Sequence, residues 1–544
     1  MDSSLDQART LVDACEGAVR RATARLARDS ARDGRVDIGL LDREQVLAYD
    51  LASVAGRVAA ARELLAYGEL GPFETMLAVG FAGDVAADLS ARALGRSEAW
   101  AGAVDLTGVA DVVAVARAPA LFDGIADRVL ADPEVPRHLS DELDMVRRTF
   151  RDFAEARVMP VAEDVHRGDT DIPEEIIREL AEMGCFGLSI PERYGGFAAE
   201  EGTGDAMSMV VVTEELSRGS LGVAGSLITR PEILSKALVT GGTPEQRERW
   251  LPAIASGELM CAVAVTEPDF GSDVAGLKVT AITDDDAYVV NGVKTWCTFG
   301  GRADLLMLLA RTDPDRTRAH RGLSLFVVEK PAFPGHSWSH DSDLGGRMEA
   351  RAIGTIGYRG MHSFEIGFSD YRIPAANLVG GEAGLGRGFY LQMDAFANGR
   401  LQTAARALGV MQAAFEHAVA YANQREVFGV PLGGYQLTKA KLARMAMLLA
   451  ACRQFSYASA RLLGAGGATD GQLEASMVKS LSCLSAEWLT REAMQIHGGM
   501  GYAEEFAVSR YFVDARVLSI FEGADETLAL RVIVRRLLEE ALAG

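Results

Sequence analysis

The hydrophobic period changes twice along this chain of 544 residues, and those changes constrain the fold more than any single residue does. Up to about residue 260, apolar residues recur every three or four positions; Leu47, Leu51, Val54, Val58, Ala61 and Leu65, for example, line one helical face. From Cys261 to about Gly380 the period drops to two, in runs such as A-Y-V-V-N-G-V-K-T-W, L-L-M-L-L-A-R and G-L-S-L-F-V-V-E. Helical spacing returns after Gly388 and lasts to the end. Helices and strands therefore segregate, which predicts a mainly α chain of the α+β class and disfavours a doubly wound nucleotide-binding sheet.

Punctuation predicts the boundaries. Gly68 and Pro72 separate two helical runs, and Pro133 and Pro136 precede Ser140-Asp141-Glu142, an N-cap with an acidic first turn. Thr243-Pro244-Glu245-Gln246 reads as a capping box with proline at the first helical position. Asn291-Gly292 reads as a hairpin turn. The expected partition is a helical extension over 1–138, a helical domain over 139–260, an antiparallel β domain over 261–384 and a helical bundle over 385–544. Gly384, Gly386 and Gly388 resemble a dinucleotide loop only superficially, because they are evenly spaced and no strand–turn–helix unit surrounds them.

A formal net charge of −21 argues against a nucleic-acid or anionic-membrane surface, since binding phosphate needs a basic footprint. Six cysteines, with no C-x-x-C pair, point to neither a disulfide framework nor a zinc site. The opening M-D-S-S-L-D has no signal-peptide character and no run is long enough to span a bilayer, so a cytoplasmic, soluble protein is expected.

The first β run ends in T-E-P-D-F-G-S-D, where Pro268 and Gly271 forbid regular pairing and force a shaped loop. On its own such a loop is as much a turn as a cradle. Taken with N-G-V-K-T-W-C-T (291–298), Q-R-E-V-F-G-V-P-L (424–432), Q-I-H-G-G-M-G-Y (495–502) and F-E-G-A-D-E-T (521–527), however, the stretch V-T-E-P-D-F-G-S-D (265–273) resembles the acyl-CoA dehydrogenase family.

The resemblance implies that family's fold preceded by an extra helical domain, and an FAD between the β domain and the bundle. Val265, Thr266, Gly271, Ser272 and the strand Trp296-Cys297-Thr298 match positions around the flavin ring. Arg425, Phe428, Gln436, Gln495, Ile496, Gly498 and Gly499 match positions that hold the FAD diphosphate and adenosine from a neighbouring subunit, which implies a homo-oligomer, most simply a tetramer. An arginine suits a diphosphate because its fork donates twice. Ala524 and Glu526 stand at further cofactor positions where the family usually has threonine and glutamine, and Ala397 replaces a common acidic residue.

Glu522 matches the base that removes the α-proton of an acyl thioester, and Ile520 and Phe521 are expected to give it an apolar setting. Relatives that carry the base before the residue matching Arg400 have a glutamate where this chain has Gly399. In the family the thioester oxygen is polarised by a flavin hydroxyl and the base's own backbone N–H. Ser272, Arg400 and Gly523 match positions near acyl-CoA.

Further stretches, L-L-D-R-E-Q (40–45), S-L-I-T-R-P-E-I (226–233) and Q-T-A-A-R-A-L-G-V (402–410), are similar to the branch of the family that oxidises (2S)-methylsuccinyl-CoA to mesaconyl-CoA. That implies an electron-transferring flavoprotein as partner and a cation for the substrate carboxylate, for which Arg230 is the candidate. An oxygen-using acyl-CoA oxidase and a non-catalytic scaffold are the competing readings.

Overall fold

The computed structural model describes residues 2–100, 109–198, 206–465 and 471–543, and the chain divides into two units, residues 1–144 with 403–544 and residues 145–402.

In the first unit, helices α1 (Asp2–Asp29), α2 (Gln45–Gly68) and α3 (Pro72–Leu94) share a core with the C-terminal part of α4 (Gly388–Gln424) and with α5 (Gln436–Ala465) and α6 (Gln472–His497). The helical stripe from Leu47 to Leu65 is buried along its whole length. Each leucine or valine in it contributes roughly 1.5–3 kcal/mol by leaving water. Gly56 faces α6, where an added Cβ would make only ordinary van der Waals contact with Met477 at 3.6 Å. Gly68 ends α2 and Pro72 begins α3, as the punctuation predicts. Arg531 grips Asp42 through two hydrogen bonds of 2.6 and 2.9 Å, and this pairing lowers the Asp42 pKa. The N-terminal helices are thus built into the bundle.

The second unit contains an eight-stranded sheet: β1 (Cys261–Ala264), β2 (Thr280–Asp284), β3 (Ala287–Thr298), β4 (Leu305–Arg311), β5 (Leu323–Glu329), β6 (Ser337–Asp341), β7 (Arg347–Ile353) and β8 (Ser363–Pro374). The order is β1-β4-β2-β3-β8-β7-β6, with β5 beside β4. Pairing is mostly antiparallel, but β1 runs parallel to β4, with Cys261 opposite Leu305. Every residue of β4 is buried, which explains its unbroken apolar run. Trp250, Leu251 and Ile254 of helix Pro244–Ala255 pack with Leu305, Met307 and Leu309 of β4 in the core. That helix starts with the expected capping box, in which Thr243 accepts from the Gln246 N–H and Gln246 Oε1 accepts from the Thr243 N–H. Ser140 accepts from the Leu143 N–H ahead of helix Asp141–Phe153.

One turn differs from the sequence expectation. Asn291-Gly292 lies inside β3, and the hairpin closes at Asp285-Asp286 instead, with Asp284 opposite Ala287. Asp285 adopts the left-handed conformation that the tight turn requires. Gly292 marks an irregularity: its φ is +129°, and the pairing of β8 with β3 shifts register beside it, between Phe368 and Tyr371. Asn291 stabilises the spot by exchanging hydrogen bonds with Asp370, donating from Nδ2 to the carboxylate and accepting the backbone N–H, both 2.9 Å.

The glycines at 386 and 388 have a packing reason: a Cβ would fall 2.4 Å from the Arg321 carbonyl oxygen at Gly386 and 2.5 Å from the Ser324 backbone at Gly388.

A Cβ at Gly292 would lie 2.8 Å from the Val279 side chain, in addition to straining the backbone. Gly292→Ala is therefore expected to destabilise the β-containing unit by about 2 kcal/mol, lowering its thermal midpoint by about 5 °C in a calorimetric scan. An unchanged midpoint would contradict this account of the strand.

Candidate active site

The loop after β1 is organised by a buried charge pair absent from the sequence expectations. Lys294, on β3, donates to Glu267 Oε1 at 2.9 Å and to the Val265 carbonyl at 2.8 Å. Glu267 also accepts from the backbone N–H groups of Lys278 and Val279, at 2.7 and 2.9 Å. Burial lowers the Lys294 pKa to about 8. Glu267 and Phe270 exchange backbone hydrogen bonds of 3.0 Å, which closes the turn through Pro268, and the Thr295 N–H reaches the Thr266 carbonyl at 2.8 Å. Val265 and Thr266 are thereby fixed against β3. Gly271 and Ser272 lie exposed at the loop tip, and a Cβ on Gly271 would meet no protein atom.

Beyond Lys294, β3 bulges. Cys297 pairs with Phe364 and Lys294 with Ile366, so Thr295 and Trp296 together oppose Glu365. Trp296 takes a left-handed φ of +57° and remains 54% exposed. That conformation costs an aromatic residue on the order of 1–3 kcal/mol and aims the indole out of the sheet. Cys297 faces the interior, where burial pushes its thiol up to about 12, and Thr298 bonds Ser363 hydroxyl to hydroxyl at 2.9 Å. Arg230, in helix Thr229–Gly241, and Arg400 are both buried in this unit.

In the other unit, a small hairpin follows α4, with Val427 opposite Val430, and displays Arg425 and Phe428. Phe428 has a φ of +51° and is 96% exposed. Gln436 opens α5 at the surface, and Leu437 beside it is also exposed. At the end of α6, Gln495, Gly498 and Gly499 are exposed while Ile496 is buried; added Cβ atoms on the two glycines would meet nothing.

Glu522 follows Val508–Leu518 in a loop with two consecutive left-handed residues, itself at φ +54° and Gly523 at +102°. The apolar setting expected for its carboxylate is not what surrounds it. Arg406, on α4 and wholly buried, donates to Oε2 at 2.7 Å, and the Thr403 hydroxyl donates to the same oxygen. The Arg406 guanidinium also bonds Thr403 Oγ1 at 2.6 Å and lies over the Phe521 ring, 4.7 Å from its centre, whereas Ile520 is 54% exposed. A buried Lys479 on α6 holds the Gly523 carbonyl at 2.7 Å. Asp525, three residues beyond the glutamate, accepts from Tyr49 of α2 and Ser480 of α6, both at 2.5 Å. Ala524 sits between these anchors and Glu526 is exposed. The side chain of Ala397 lies outside the described residues.

Arg406, Thr403, Lys479, Tyr49 and the Lys294–Glu267 pair all escape the sequence reading. The first two do lie in the stretch 402–410, and a lone arginine among small and apolar helix residues was the available signal.

Breaking a buried pair by removing one partner costs roughly 3–5 kcal/mol. Lys294→Met is expected to lower the thermal midpoint clearly, and adding Glu267→Gln should recover part of the loss, since the orphaned charge disappears. A single variant as stable as the parent would show that the pair does not organise the loop.

Comparison with known proteins matches the acyl-CoA dehydrogenase N-terminal domain at residues 140–258, the middle domain at 262–370 and the C-terminal domain at 386–538. A (2S)-methylsuccinyl-CoA dehydrogenase from Cereibacter sphaeroides is 46% identical over 402 residues, which is 74% of this chain and 70% of that protein. Butyryl-CoA dehydrogenase from Megasphaera elsdenii superposes with a TM-score of 0.65 at 30% identity, over 73% of this chain and 98% of that one. A chain in the structure reported as electron transferring flavoprotein of Acidaminococcus fermentans has a TM-score of 0.65 at 28% identity, over 74% and 99% of the two chains.

Proposed function

We propose, for a chain that belongs to the acyl-CoA dehydrogenase family and is thus an oxidoreductase of CH–CH groups, that its substrate is a short, branched, dicarboxylic acyl-CoA, (2S)-methylsuccinyl-CoA, and its product mesaconyl-CoA. The likeness to the Cereibacter protein supports this substrate, and the structural observation that carries the chemistry is Glu522. Its carboxylate is held by Thr403 and Arg406 on a loop whose two left-handed residues fix its direction.

Members of the family are FAD-dependent flavoproteins. The residues present fit such a group: Trp296 offers an outward flat aromatic wall, Gly271 an open loop tip, Arg425 an accessible cation, and Gly498 and Gly499 exposed backbone with no side chain in the way. When bound, FAD supplies the acceptor for the hydrogen leaving the β-carbon as hydride. Glu522 accepts the α-proton at a carboxylate oxygen. Its backbone N–H, at the left-handed bend, donates to the thioester oxygen as charge develops there. Val265, Thr266 and Thr298 would hold the ring, and Ser272 and Arg400 would contact the CoA portion.

Removing a positioned base typically costs 10²- to 10⁴-fold. Glu522→Gln is expected to keep its flavin yet slow anaerobic flavin bleaching by methylsuccinyl-CoA by roughly 10³-fold. Bleaching at the parent rate would assign the proton to another residue.

Phe428, Val430 and Leu437 lie within ten residues of one another in sequence and are exposed, an apolar face that a second subunit would bury. We infer a homo-oligomer in which Arg425, Phe428, Gln436, Gln495 and Ile496 serve the neighbouring subunit's FAD. Phe428→Asp should yield smaller species in sedimentation and a lower flavin content; an intact, fully flavinylated oligomer would contradict this.

An electron-transferring flavoprotein is the proposed acceptor. Flavin bleached by substrate should be reoxidised by that protein far faster than by air, and rapid reoxidation by air alone would favour the oxidase reading.

A further inference from the structure

Metal-ligand side chains converge at one place in the β-containing unit, and none of them is a cysteine. Asp169, His336 and His362 each bring a donor atom within 4.8 Å of the other two. They come from three separate segments. Asp169 follows helix Met159–Gly168 in a left-handed conformation, His336 immediately precedes β6, and His362 immediately precedes β8. The backbone fixes both histidines, since the Ala352 N–H donates to the His336 carbonyl and the Phe299 N–H to the His362 carbonyl, each at 2.8 Å.

The two oxygens of Asp169 face different rings. Oδ2 lies 3.9 Å from His336 Nε2, and Oδ1 lies 3.8 Å from His362 Nδ1. These gaps are too long for hydrogen bonds. They sit close to the donor–donor edge of a zinc tetrahedron, about 3.3 Å for metal–ligand bonds near 2.0 Å, so each pair needs to close by only about half an ångström. The buried His362 ring also has an unmet atom: its Nε2 stands 3.1 Å from Asp171 Oδ1 but out of line for a hydrogen bond. A metal on Nδ1 fixes the tautomer with the proton on Nε2, facing Asp171, and Asp171 is itself held by the Gly335 N–H at 2.7 Å. A carboxylate behind the imidazole is the usual support of a metal-bound histidine. Arg359 Nε lies 3.5 Å from Asp169 Oδ1, yet its N–H groups are spent on the carbonyls of Thr355 and His166, both at 3.0 Å. A cavity of about 370 Å³ whose lining includes Asp171, Gly335 and His362 gives an ion a way in and leaves room for water as a fourth ligand. Two imidazoles with one carboxylate select zinc over magnesium or calcium, which take oxygen donors.

We propose that Asp169, His336 and His362 form a zinc site, with Asp171 orienting His362 from behind. The ion ties the end of helix Met159–Gly168 to the starts of β6 and β8, so its role is to stabilise this unit. Nothing in the inference depends on which acyl-CoA the enzyme oxidises.

The test uses the full-length, flavin-loaded protein, stripped with a chelator and titrated with zinc chloride. Calorimetry and elemental analysis after gel filtration read affinity and stoichiometry, and a thermal scan reads stability. All six cysteines are buried, so folded protein offers no accessible thiol to compete for the added ion. The parent should retain one zinc per chain and gain thermal stability from it. His336 is exposed, so His336→Ala leaves the core intact; it should lose the retained zinc and the zinc-dependent rise in midpoint together. Asp171→Asn should weaken zinc binding by roughly ten- to a hundredfold, and it carries the test if the alanine variant does not fold. A parent that retains no zinc, or parent and variants that bind it equally, would overturn the proposal, as would retention without any change in the parent's midpoint.

Discussion

The ion pair between Glu522 and Arg406 governs the arrangement of its unit, because a carboxylate and a guanidinium removed from water tolerate no slack in their surroundings. Thr403 serves both charges from one turn below Arg406 on the same helix. The loop that carries the glutamate is pinned on its far side, by Lys479 at the Gly523 carbonyl and by Ser480 and Tyr49 at Asp525. Tyr49 belongs to the N-terminal helices, so the segment that precedes the three matched domains takes part in holding the loop of Glu522. That gives those helices a structural reason to share a core with the bundle.

The second unit applies the same rule to a different end. Glu267 and Lys294 neutralise each other inside the protein and between them fix the loop after β1, whose tip, Gly271 and Ser272, is exposed. Conformational strain is spent in the same places. Trp296, Phe428 and Glu522 are all non-glycine residues in the left-handed region, and each stands in a motif matched to the family. Trp296 and Phe428 are turned outward as a result, an arrangement a self-sufficient core would avoid.

Much of this was legible in the sequence. Period alone separates helical segments from the sheet, and the Thr243 capping box and the α2–α3 break fall where their residues put them. Asn291-Gly292 misled because glycine with a positive φ serves a strand irregularity as well as a turn, and three consecutive aspartates compete for the turn. Arg406 was illegible for another reason. In sequence it is one basic residue in a small-residue helix, 116 positions from Glu522, and only the folded bundle brings the two together. The apolar setting inferred from Ile520 and Phe521 failed on the same point, since local sequence reports neighbours along the chain and not across it.

The central claim is that Glu522 takes a proton from the α-carbon of a dicarboxylic acyl thioester. It is tested most directly by the anaerobic rate of flavin bleaching with methylsuccinyl-CoA carrying deuterium at the α-carbon, set against the unlabelled compound. The account predicts bleaching with both and a several-fold slower rate with the label. No bleaching by either compound, or bleaching with no isotope effect in the step that sets the rate in the absence of slow binding, would contradict it.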